Sequence, residues 1–357
     1  MLIKYASDNP LSLKDLVPSK ILIVQTAFIG DVVLITPLIR ESAKLFPHAL
    51  IDVMIIPSTA PLLANNPYIN ELIVYDKRVK GEFIKIVKIL RQNNYDIAIT
   101  PHSSTRTAIL LLFARIKIRI GYNRWFARHF LTHRKCHAMK LNHIPHKIEK
   151  LLNLLSLFTN KRLNMQTELY PSTNDFDYAD KQLANNTQKR KIILIAPGSV
   201  WDTKRWDDSH FVTLIDSLLE NDFFIILSGS PSEQMLCDSI VNRLEKKEDG
   251  NIINISGKTT LLETAALMKS CDLVICNDSG TLHMANAMQV KVFAFFGPTV
   301  QRFGYYPFRE GDFVFEIDLT CRPCGGHGGK SCPLKHHNCM KNIEPNVVLQ
   351  KVLESFS

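Results

Sequence analysis

The sequence lacks several features that would each assign it to a broad class of protein. Its 357 residues contain no uninterrupted run of the ~18 apolar residues that a membrane-spanning helix requires. Neither a Walker lysine loop nor a Gly-x-Gly-x-x-Gly motif occurs, which disfavours nucleoside triphosphatases and dinucleotide-dependent oxidoreductases. The stretch from Met1 to Pro18 carries charges and no apolar core, so we expect no secretory signal and predict a cytoplasmic location.

Acidic residues are absent between Asp96 and Glu149, whereas basic residues are frequent there. The whole chain carries 43 lysines and arginines against 34 acids, a net charge of +9. A basic interval with interleaved aromatic residues favours an anionic partner, namely nucleic acid, a phosphorylated lipid or a membrane surface, over a merely solvated face. The basic residues are Arg106, Arg115, Lys117, Arg119, Arg124, Arg128, Arg134, Lys135, Lys140 and Lys147, and the aromatic ones are Tyr122, Trp125, Phe126 and Phe130.

Eight cysteines in a chain without an expected export signal indicate reduced thiols or metal ligands rather than disulfides. Four of them, Cys321, Cys324, Cys332 and Cys339, lie in one short segment that also contains three histidines. Four thiols are enough for a tetrahedral structural zinc site, although the second pair is not spaced as Cys-x-x-Cys. Structural zinc and metal-free loop thiols therefore both stay open.

Strand-like and helix-like segments alternate through both halves of the chain, which predicts βαβ units and mostly parallel sheets. We predict an N-terminal domain at 1–165, a polar linker at 166–190, a second domain at 191–343, and a helix at 344–357 that could cross back onto the first domain. The predicted strands are 20–26, 50–56, 71–75, 95–100, 116–120, 191–196, 223–227, 251–255, 272–276 and 291–295, and the main predicted helices are 32–46, 58–65, 83–92, 105–114, 208–220, 232–244, 261–268, 281–288 and 344–356.

Small polar residues follow the predicted strands of the second half, where ligands bind in open α/β sheets. In the stretch 277–283 an apolar strand ends in Asn-Asp-Ser-Gly and a helix begins, so backbone N–H groups could bind a phosphate there, although a plain helix cap explains the same residues. The loops 197–206, 228–233 and 297–299 add glycines, hydroxyls and the pair Lys204-Arg205, which suit a diphosphate and a ribose.

Asp31 follows Gly30 in the loop after the first predicted strand. A carboxylate in that position could act as a general base towards a ligand in an interdomain cleft. The alternative is that Asp31 only caps the helix that follows.

In their order along the chain, these motifs resemble those of the ADP-heptose–lipopolysaccharide heptosyltransferases. The resemblance rests on 28–37, on 197–199 with Lys204-Arg205-Trp206, on 277–283 and on the Gly-Pro-Thr turn at 297–299. It extends from about Lys20 to Ile343, and the Trp-x-x-Lys-Arg-Trp form is closer to the heptosyltransferase II branch than to I. One departure is Asp207, where a proline often follows the tryptophan.

The resemblance implies the GT-B fold, in which two Rossmann-like doubly wound domains face a central cleft. It implies an inverting transfer of L-glycero-D-manno-heptose from ADP-heptose to the inner core of lipopolysaccharide, onto its first heptose, by an enzyme at the cytoplasmic face of the inner membrane. Asp31 would be the base, Lys204 would neutralise the diphosphate, and Glu233 would hold the ribose or adenine. Asp278 would bind sugar hydroxyls or cap its helix. The other implied donor-binding residues are Gly198, Ser199, Arg205, Ser279, Gly280, His283, Gly297 and Thr299, and the expected acceptor-binding residues are Arg106, Arg119, Arg124 and Arg128.

Such a transfer requires no catalytic metal, because protein cations and amides can stabilise the departing ADP. Two alternatives stay open. A sister glycosyltransferase with another nucleotide sugar would carry the same motifs, because donor choice depends on a few side chains. A basic zinc-containing nucleic-acid-binding protein is the weaker alternative, since no helix-turn-helix, RNP or KH signature occurs and the strand-end motifs would have no role.

Overall fold

The computed structural model describes residues 13–124, 126–136, 143–184, 186–247 and 250–357. Two members of the basic interval, Trp125 and Lys140, lie outside these residues. The chain divides into two compact units between Thr167 and Glu168, called unit 1 and unit 2 below. No helix in the described part is both long and apolar enough to cross a bilayer.

Unit 1 contains a six-stranded parallel sheet. Its strands are β1 (Lys20–Gln25), β2 (Leu50–Ile55), β3 (Glu71–Val74), β4 (Ile97–Thr100), β5 (Ile118–Tyr122) and β6 (His133–Lys135). Their order is β3-β2-β1-β4-β5-β6, so the strand order reverses between β1 and β4. The carboxyl ends of those two strands form the kind of crevice in which doubly wound sheets bind ligands. The α-helices are α1 (Ile29–Leu34), α2 (Thr36–Leu45), α3 (Glu82–Asn93), α4 (Thr105–Phe113) and α5 (Lys147–Leu152).

In the helix predicted at 32–46, Pro37 could either introduce a kink or open a new turn after Thr36, and the structure has two helices there, α1 and α2. Pro37 lies at the start of α2, where its missing N–H removes no intrahelical hydrogen bond. The Thr36 hydroxyl donates to the Val33 carbonyl at 2.8 Å, in the turn between α1 and α2. Proline therefore opens a new helix here, and the short α1 carries Asp31 in its first turn.

Unit 2 repeats the architecture with a second six-stranded parallel sheet. Its strands are β7 (Ile192–Ala196), β8 (Phe224–Leu227), β9 (Ile252–Asn254), β10 (Leu273–Asn277), β11 (Lys291–Phe296) and β12 (Phe313–Glu316), in the order β12-β11-β10-β7-β8-β9. The reversal between β7 and β10 places the loops at 197–206 and 277–280 next to each other. The helices are α6 (Thr173–Leu183), α7 (Asp208–Glu220), α8 (Gln234–Asn242), α9 (Leu261–Lys269), α10 (Gly280–Ala287), α11 (Asn338–Lys341) and α12 (Pro345–Glu354).

Unit 2 also contains most of the interval predicted as a linker and the C-terminal helix. The interval 166–190, predicted as a linker, contains α6, which starts with a reciprocal Ser172–Asp175 capping box and packs against α9. The C-terminal helix α12 packs against α7, and Val348 and Val352 are buried in the core of unit 2. Within unit 2, α12 is therefore part of the core that it forms with α7.

Candidate active site

Asn277, at the end of β10, joins three backbone segments at the carboxyl edge of unit 2. Its side chain is fully buried. The amide nitrogen donates to the carbonyls of Pro197 at 2.8 Å and Gly198 at 3.1 Å, and the amide oxygen accepts from the Trp206 N–H at 3.0 Å. Because both ends of the amide are satisfied, the two ends of the loop after β7 are held against β10.

Lys204 and Asp278 form an ion pair on this frame, and their side chains are 13% and 8% exposed. The Lys204 Nζ lies 2.6 Å from Asp278 Oδ2 and 3.3 Å from the Asp278 carbonyl oxygen. The Thr299 hydroxyl donates to the same Asp278 Oδ2 at 2.6 Å. Side chains from three predicted donor-binding loops therefore meet at one carboxylate, which pairs with Lys204 rather than capping a helix.

The N-terminus of α10 lies beside this ion pair. Ser279 is the N-cap residue, but its side chain makes no capping hydrogen bond. Its hydroxyl is buried and has no hydrogen-bond partner among the residues that the structure describes. An unpaired hydroxyl next to free N–H groups at a helix N-terminus is suited to an anion.

Glu233 contacts the loop after β7 from the other side. One carboxylate oxygen accepts from the Ser230 N–H and hydroxyl, both at 2.8 Å. A Cβ at Gly198 would lie 2.0 Å from the other oxygen, so a larger residue there would force the Glu233 carboxylate to move. A role for Glu233 in binding ribose or adenine stays a prediction.

Arg205 contributes to the shape of the same loop. Its guanidinium donates twice to the Ser199 carbonyl, at 2.9 and 2.8 Å, and lies 3.2 Å from the Asp202 carboxylate. The neighbouring Trp206 ring stacks on Phe295 with centroids 4.3 Å apart. Lys204 and Arg205 are adjacent in sequence, but Lys204 pairs with Asp278 whereas Arg205 binds the Ser199 carbonyl of its own loop.

The segment 321–339, called the cysteine segment, contacts two of the predicted donor-binding loops. The Arg322 guanidinium donates to the carbonyls of Phe296 at 3.0 Å and Thr299 at 2.8 Å. Thr203 N–H donates to the Gly329 carbonyl at 3.1 Å, and its hydroxyl accepts from the Gly329 N–H at 2.8 Å. The segment thus contacts the loops that carry Lys204 and Thr299.

The four cysteines predicted as zinc ligands lie in this segment. Cys324, Cys332 and Cys339 line a cavity of about 290 Å³. Burial raises the pKa of Cys339 to about 11, and the neighbouring Cys324 shifts it in the same direction. Across the residues that the structure describes, no three His, Cys, Asp or Glu side chains form a group that could hold a metal ion. Zinc at Cys321, Cys324, Cys332 and Cys339 stays a prediction.

Replacing Gly328 by alanine is expected to disturb both the fold and the predicted donor-binding loops. An added Cβ would lie 2.5 Å from the Trp201 Cβ and 3.0 Å from the Lys204 Cγ, so the cysteine segment must move away from the lysine loop. We expect a loss of about 1–3 kcal/mol in the free energy of unfolding, and weaker nucleotide binding. The matched control is Gly326→Ala, since a Cβ there meets no atom within 4 Å. Equal urea midpoints for the two variants would contradict this close packing.

His283, one turn into α10, is almost fully buried and 4% exposed. Burial, and secondarily the positive charge of Lys204, lowers the pKa of His283 to about 3. The imidazole is therefore neutral at neutral pH and adds no further cation beside Lys204.

The low pKa of His283 predicts a specific acid sensitivity. The unfolded chain binds a proton at this residue below its usual pKa near 6.5, whereas the folded chain does so only near 3. Stability contributed by His283 is therefore lost as the pH falls from about 6.5 towards 3. Between pH 7.5 and 5 the free energy of unfolding should fall by about 2 kcal/mol more for the wild type than for His283→Gln. Denaturant titrations at both pH values measure this; parallel losses in the two proteins would show that His283 does not cause the effect.

Asp31 lies at the carboxyl edge of unit 1 and is half-buried in the first turn of α1. The N-cap residue is Phe28, without a side-chain cap. No residue in the described ranges donates a hydrogen bond to the Asp31 carboxylate. The helix-capping alternative is therefore not what this side chain does in the structure.

Cationic residues surround the loop that carries Asp31. The Lys77 ammonium donates to the Thr26 carbonyl at 3.0 Å, and Arg106 donates to the Lys77 carbonyl at 3.3 Å. Burial lowers the pKa of Lys147, and the negative charge of Asp31 opposes that shift. The charge of Asp31 also acts on His102, which follows β4. Sequence analysis missed Lys77 and His102, although both follow predicted strands.

The four arginines predicted to bind the acceptor have different surroundings. Arg106 lies over the Tyr75 ring at 5.5 Å and is exposed. Arg119 donates to the carbonyls of Phe130 and Ile116, so much of its hydrogen-bonding capacity is used within the fold. Arg124 and Arg128 are exposed. Their roles in acceptor binding stay predictions.

The two six-stranded, doubly wound parallel sheets are the α/β fold of the GT-B glycosyltransferases. The chain belongs to glycosyltransferase family 9 (heptosyltransferase), whose profile matches residues 83–334. The resemblance seen in the sequence and the expected fold are thereby confirmed.

Relatives with curated names are heptosyltransferases. Lipooligosaccharide heptosyltransferase 2 of Campylobacter jejuni subsp. jejuni serotype O:2 is 35% identical over 163 residues, 45% of this chain and 50% of that protein, so this match spans about half the length of the relative. Lipopolysaccharide heptosyltransferase 2 of Escherichia coli strain K12 is 26% identical over 320 residues, covering 82% of this chain and 91% of the relative. The solved E. coli ADP-heptose lps heptosyltransferase II has a TM-score of 0.77 and 25% identity, covering 94% and 98% of the two chains.

Proposed function

We propose that the protein transfers L-glycero-D-manno-heptose from ADP-heptose to the inner core of lipopolysaccharide, onto the first heptose, with inversion at the anomeric carbon. Family membership and the names of the relatives support heptosyl transfer. The observation that carries the proposal is the meeting of Lys204, Asp278 and Thr299 beside the unpaired Ser279 hydroxyl at the start of α10. That combination suits a sugar diphosphate.

Unit 2 would bind the donor. The Lys204 ammonium has three N–H donors and uses Asp278 for its ion pair, so it can also bind a diphosphate oxygen. When the bond between the heptose anomeric carbon and the diphosphate breaks, ADP leaves with the electron pair. Lys204 and the amides of α10 would stabilise that negative charge. These protein groups meet the electrostatic need, so we assign no metal to the chemistry.

Asp31 of unit 1 would accept the proton of the attacking hydroxyl. An acceptor oxygen attacks the face of the sugar opposite the leaving group, which inverts the configuration, and it loses its proton to a base. A carboxylate without hydrogen-bond donors from the described residues is available for that proton. Lys77 and Arg106 add positive charge near this loop, which suits an acceptor that carries phosphates and acidic sugars.

The test is ADP release from ADP-heptose with two purified acceptors, a core that carries one heptose and a core that carries none. The proposal expects release that depends on the one-heptose core. Release only with the heptose-free core would mean that the enzyme adds the first heptose rather than extending it. Release only from a different nucleotide sugar would favour a sister glycosyltransferase. Metal analysis of the purified protein, compared with Cys332→Ser, tests the separate prediction of structural zinc.

A further inference from the structure

The outer surface of α3 and α4 in unit 1 exposes large apolar side chains. Ile84 is 62% exposed, Phe113 53%, Val79 50% and Leu112 40%. The two helices touch at this surface, since the rings of Phe83 and Phe113 lie 6.4 Å apart. We call this surface, formed by 78–93 and 112–117, the α3–α4 face.

The inner sides of the same helices already fill the core. Ile86, Val87 and Leu90 of α3 pack with Leu110 and Leu111 of α4 beneath the sheet. The exposed apolar residues are therefore an additional apolar surface, not the core-facing stripe that any amphipathic helix has. Exposed apolar side chains grouped in this way are typical of interaction surfaces.

Cations surround the apolar residues of the α3–α4 face. Ile84, Lys88 and Arg91 follow each other at helical spacing on the exposed side of α3. The acids nearby are Asp76 and Glu82, which pair with Arg78 at 2.8 Å and Lys85 at 3.4 Å. The exposed cations of the face are Arg78, Lys80, Lys85, Lys88, Arg91, Arg115 and Lys117.

Apolar side chains within a cationic rim match an anionic lipid surface. The apolar groups enter the boundary between headgroups and acyl chains, and each lysine or arginine gains from the negative surface potential. A nucleic acid would use the charge and leave Ile84 and Phe113 without a role. A neutral protein partner would use the apolar residues and leave the charge without one.

The α3–α4 face continues to the loop that carries Asp31. Arg106, in the first turn of α4, donates to the Lys77 carbonyl, and Lys77 donates to Thr26 at the end of β1. A membrane bound to the α3–α4 face would therefore contact the helices whose layer ends next to the loop of Asp31. An acceptor anchored in the same membrane would be presented to that edge.

We propose that the α3–α4 face docks the protein on an anionic phospholipid membrane. This inference rests on the proposed function in one respect: a lipid-anchored acceptor explains why docking would be useful. The docking itself depends on the exposed residues of the α3–α4 face alone.

Sedimentation with phospholipid vesicles tests the surface directly. Wild type should bind vesicles containing phosphatidylglycerol and bind phosphatidylcholine vesicles weakly, with binding weakened by added salt. The double variants Lys85→Glu/Lys88→Glu and Ile84→Ser/Phe113→Ser should each bind at least about tenfold more weakly. Their thermal midpoints should stay near that of wild type, since the four side chains are exposed.

Matched controls lie on unit 2. Met235→Ser removes an apolar side chain that is 83% exposed, and Lys181→Glu/Lys247→Glu reverses two exposed charges. Both controls should bind vesicles as wild type does. Wild-type binding by the α3–α4 variants, or equal losses in the unit 2 controls, would overturn the assignment.

Activity assays separate this inference from the proposed function. The α3–α4 variants should transfer heptose normally to a delipidated core and several-fold more slowly to a core embedded in vesicles. Equal losses on both acceptors would argue against a docking role. If wild type transfers to neither acceptor, the proposed function fails, and vesicle binding alone then decides whether the α3–α4 face docks on lipid.

Discussion

Replacing Asp31 by asparagine is expected to lower kcat by ~10²–10⁴-fold, the usual contribution of a general base. Asparagine has nearly the same shape but cannot accept the acceptor proton. The carboxylate has no hydrogen-bond donor among the described residues, so its loss breaks no bond of the fold. The thermal midpoint and the affinity for ADP-heptose should stay close to wild type. Steady-state ADP release and nucleotide titration measure the two quantities.

A suitable control is Glu82→Gln, which also neutralises an acid in the first turn of a unit 1 helix. It should leave kcat within about twofold, because the Glu82 side chain, which is 11% exposed, is already paired with Lys85 at 3.4 Å. If Asp31→Asn retained activity within a similar range, Asp31 would not be the base. A raised KM with unchanged kcat would instead indicate a role in acceptor binding.

Replacing Lys204 by methionine is expected to have two separable effects. The side chain of Asp278 is 8% exposed, so losing Lys204 leaves a buried carboxylate without its counter-ion. Breaking such a pair typically costs ~3–5 kcal/mol of folding stability. Removal of the cation should also lower kcat/KM by ~10²–10³-fold, since the charge on departing ADP is no longer stabilised.

The double variant Lys204→Met/Asp278→Asn separates the two effects. An asparagine at 278 carries no charge and can still accept from Thr299, so most of the lost stability should return. Activity should stay low, because the cation is still missing. Recovery of activity together with stability would mean that Lys204 serves the fold and not the donor.

The sheets were predictable because most of their strands are continuous apolar runs flanked by polar loops. The strands that sequence analysis missed are edge strands, β6 and β12. The segment His133–Lys135 consists of three basic residues and is a strand only because β5 pairs with it. The helix α6 was missed because its exposed face is polar, although its Ser172-x-x-Asp175 capping box was a usable signal.

The candidate site was predictable as a set of loops but not as a set of contacts. Lys204 and Arg205 are adjacent in sequence, and only the fold directs one to Asp278 and the other to the Ser199 carbonyl. The pairing of Asp278 with Lys204 could not be predicted, because the two residues are distant in the chain. Asn277 belongs to a motif that the sequence shows. Its hydrogen bonds to the loop after β7 could not be predicted, because they depend on the pairing of β7 with β10.

The order of the strands has a consequence for the synthesis of the chain. The central strand of unit 1, β1, is made first, but its neighbour β4 ends only at Thr100. In unit 2, β7 likewise cannot pair with its neighbour β10 until the chain has been synthesised to Asn277. Such non-local pairing slows folding and leaves an apolar strand edge open meanwhile. Nascent chains stalled before Thr100, or before Asn277, should therefore aggregate or bind chaperones instead of forming a smaller stable sheet.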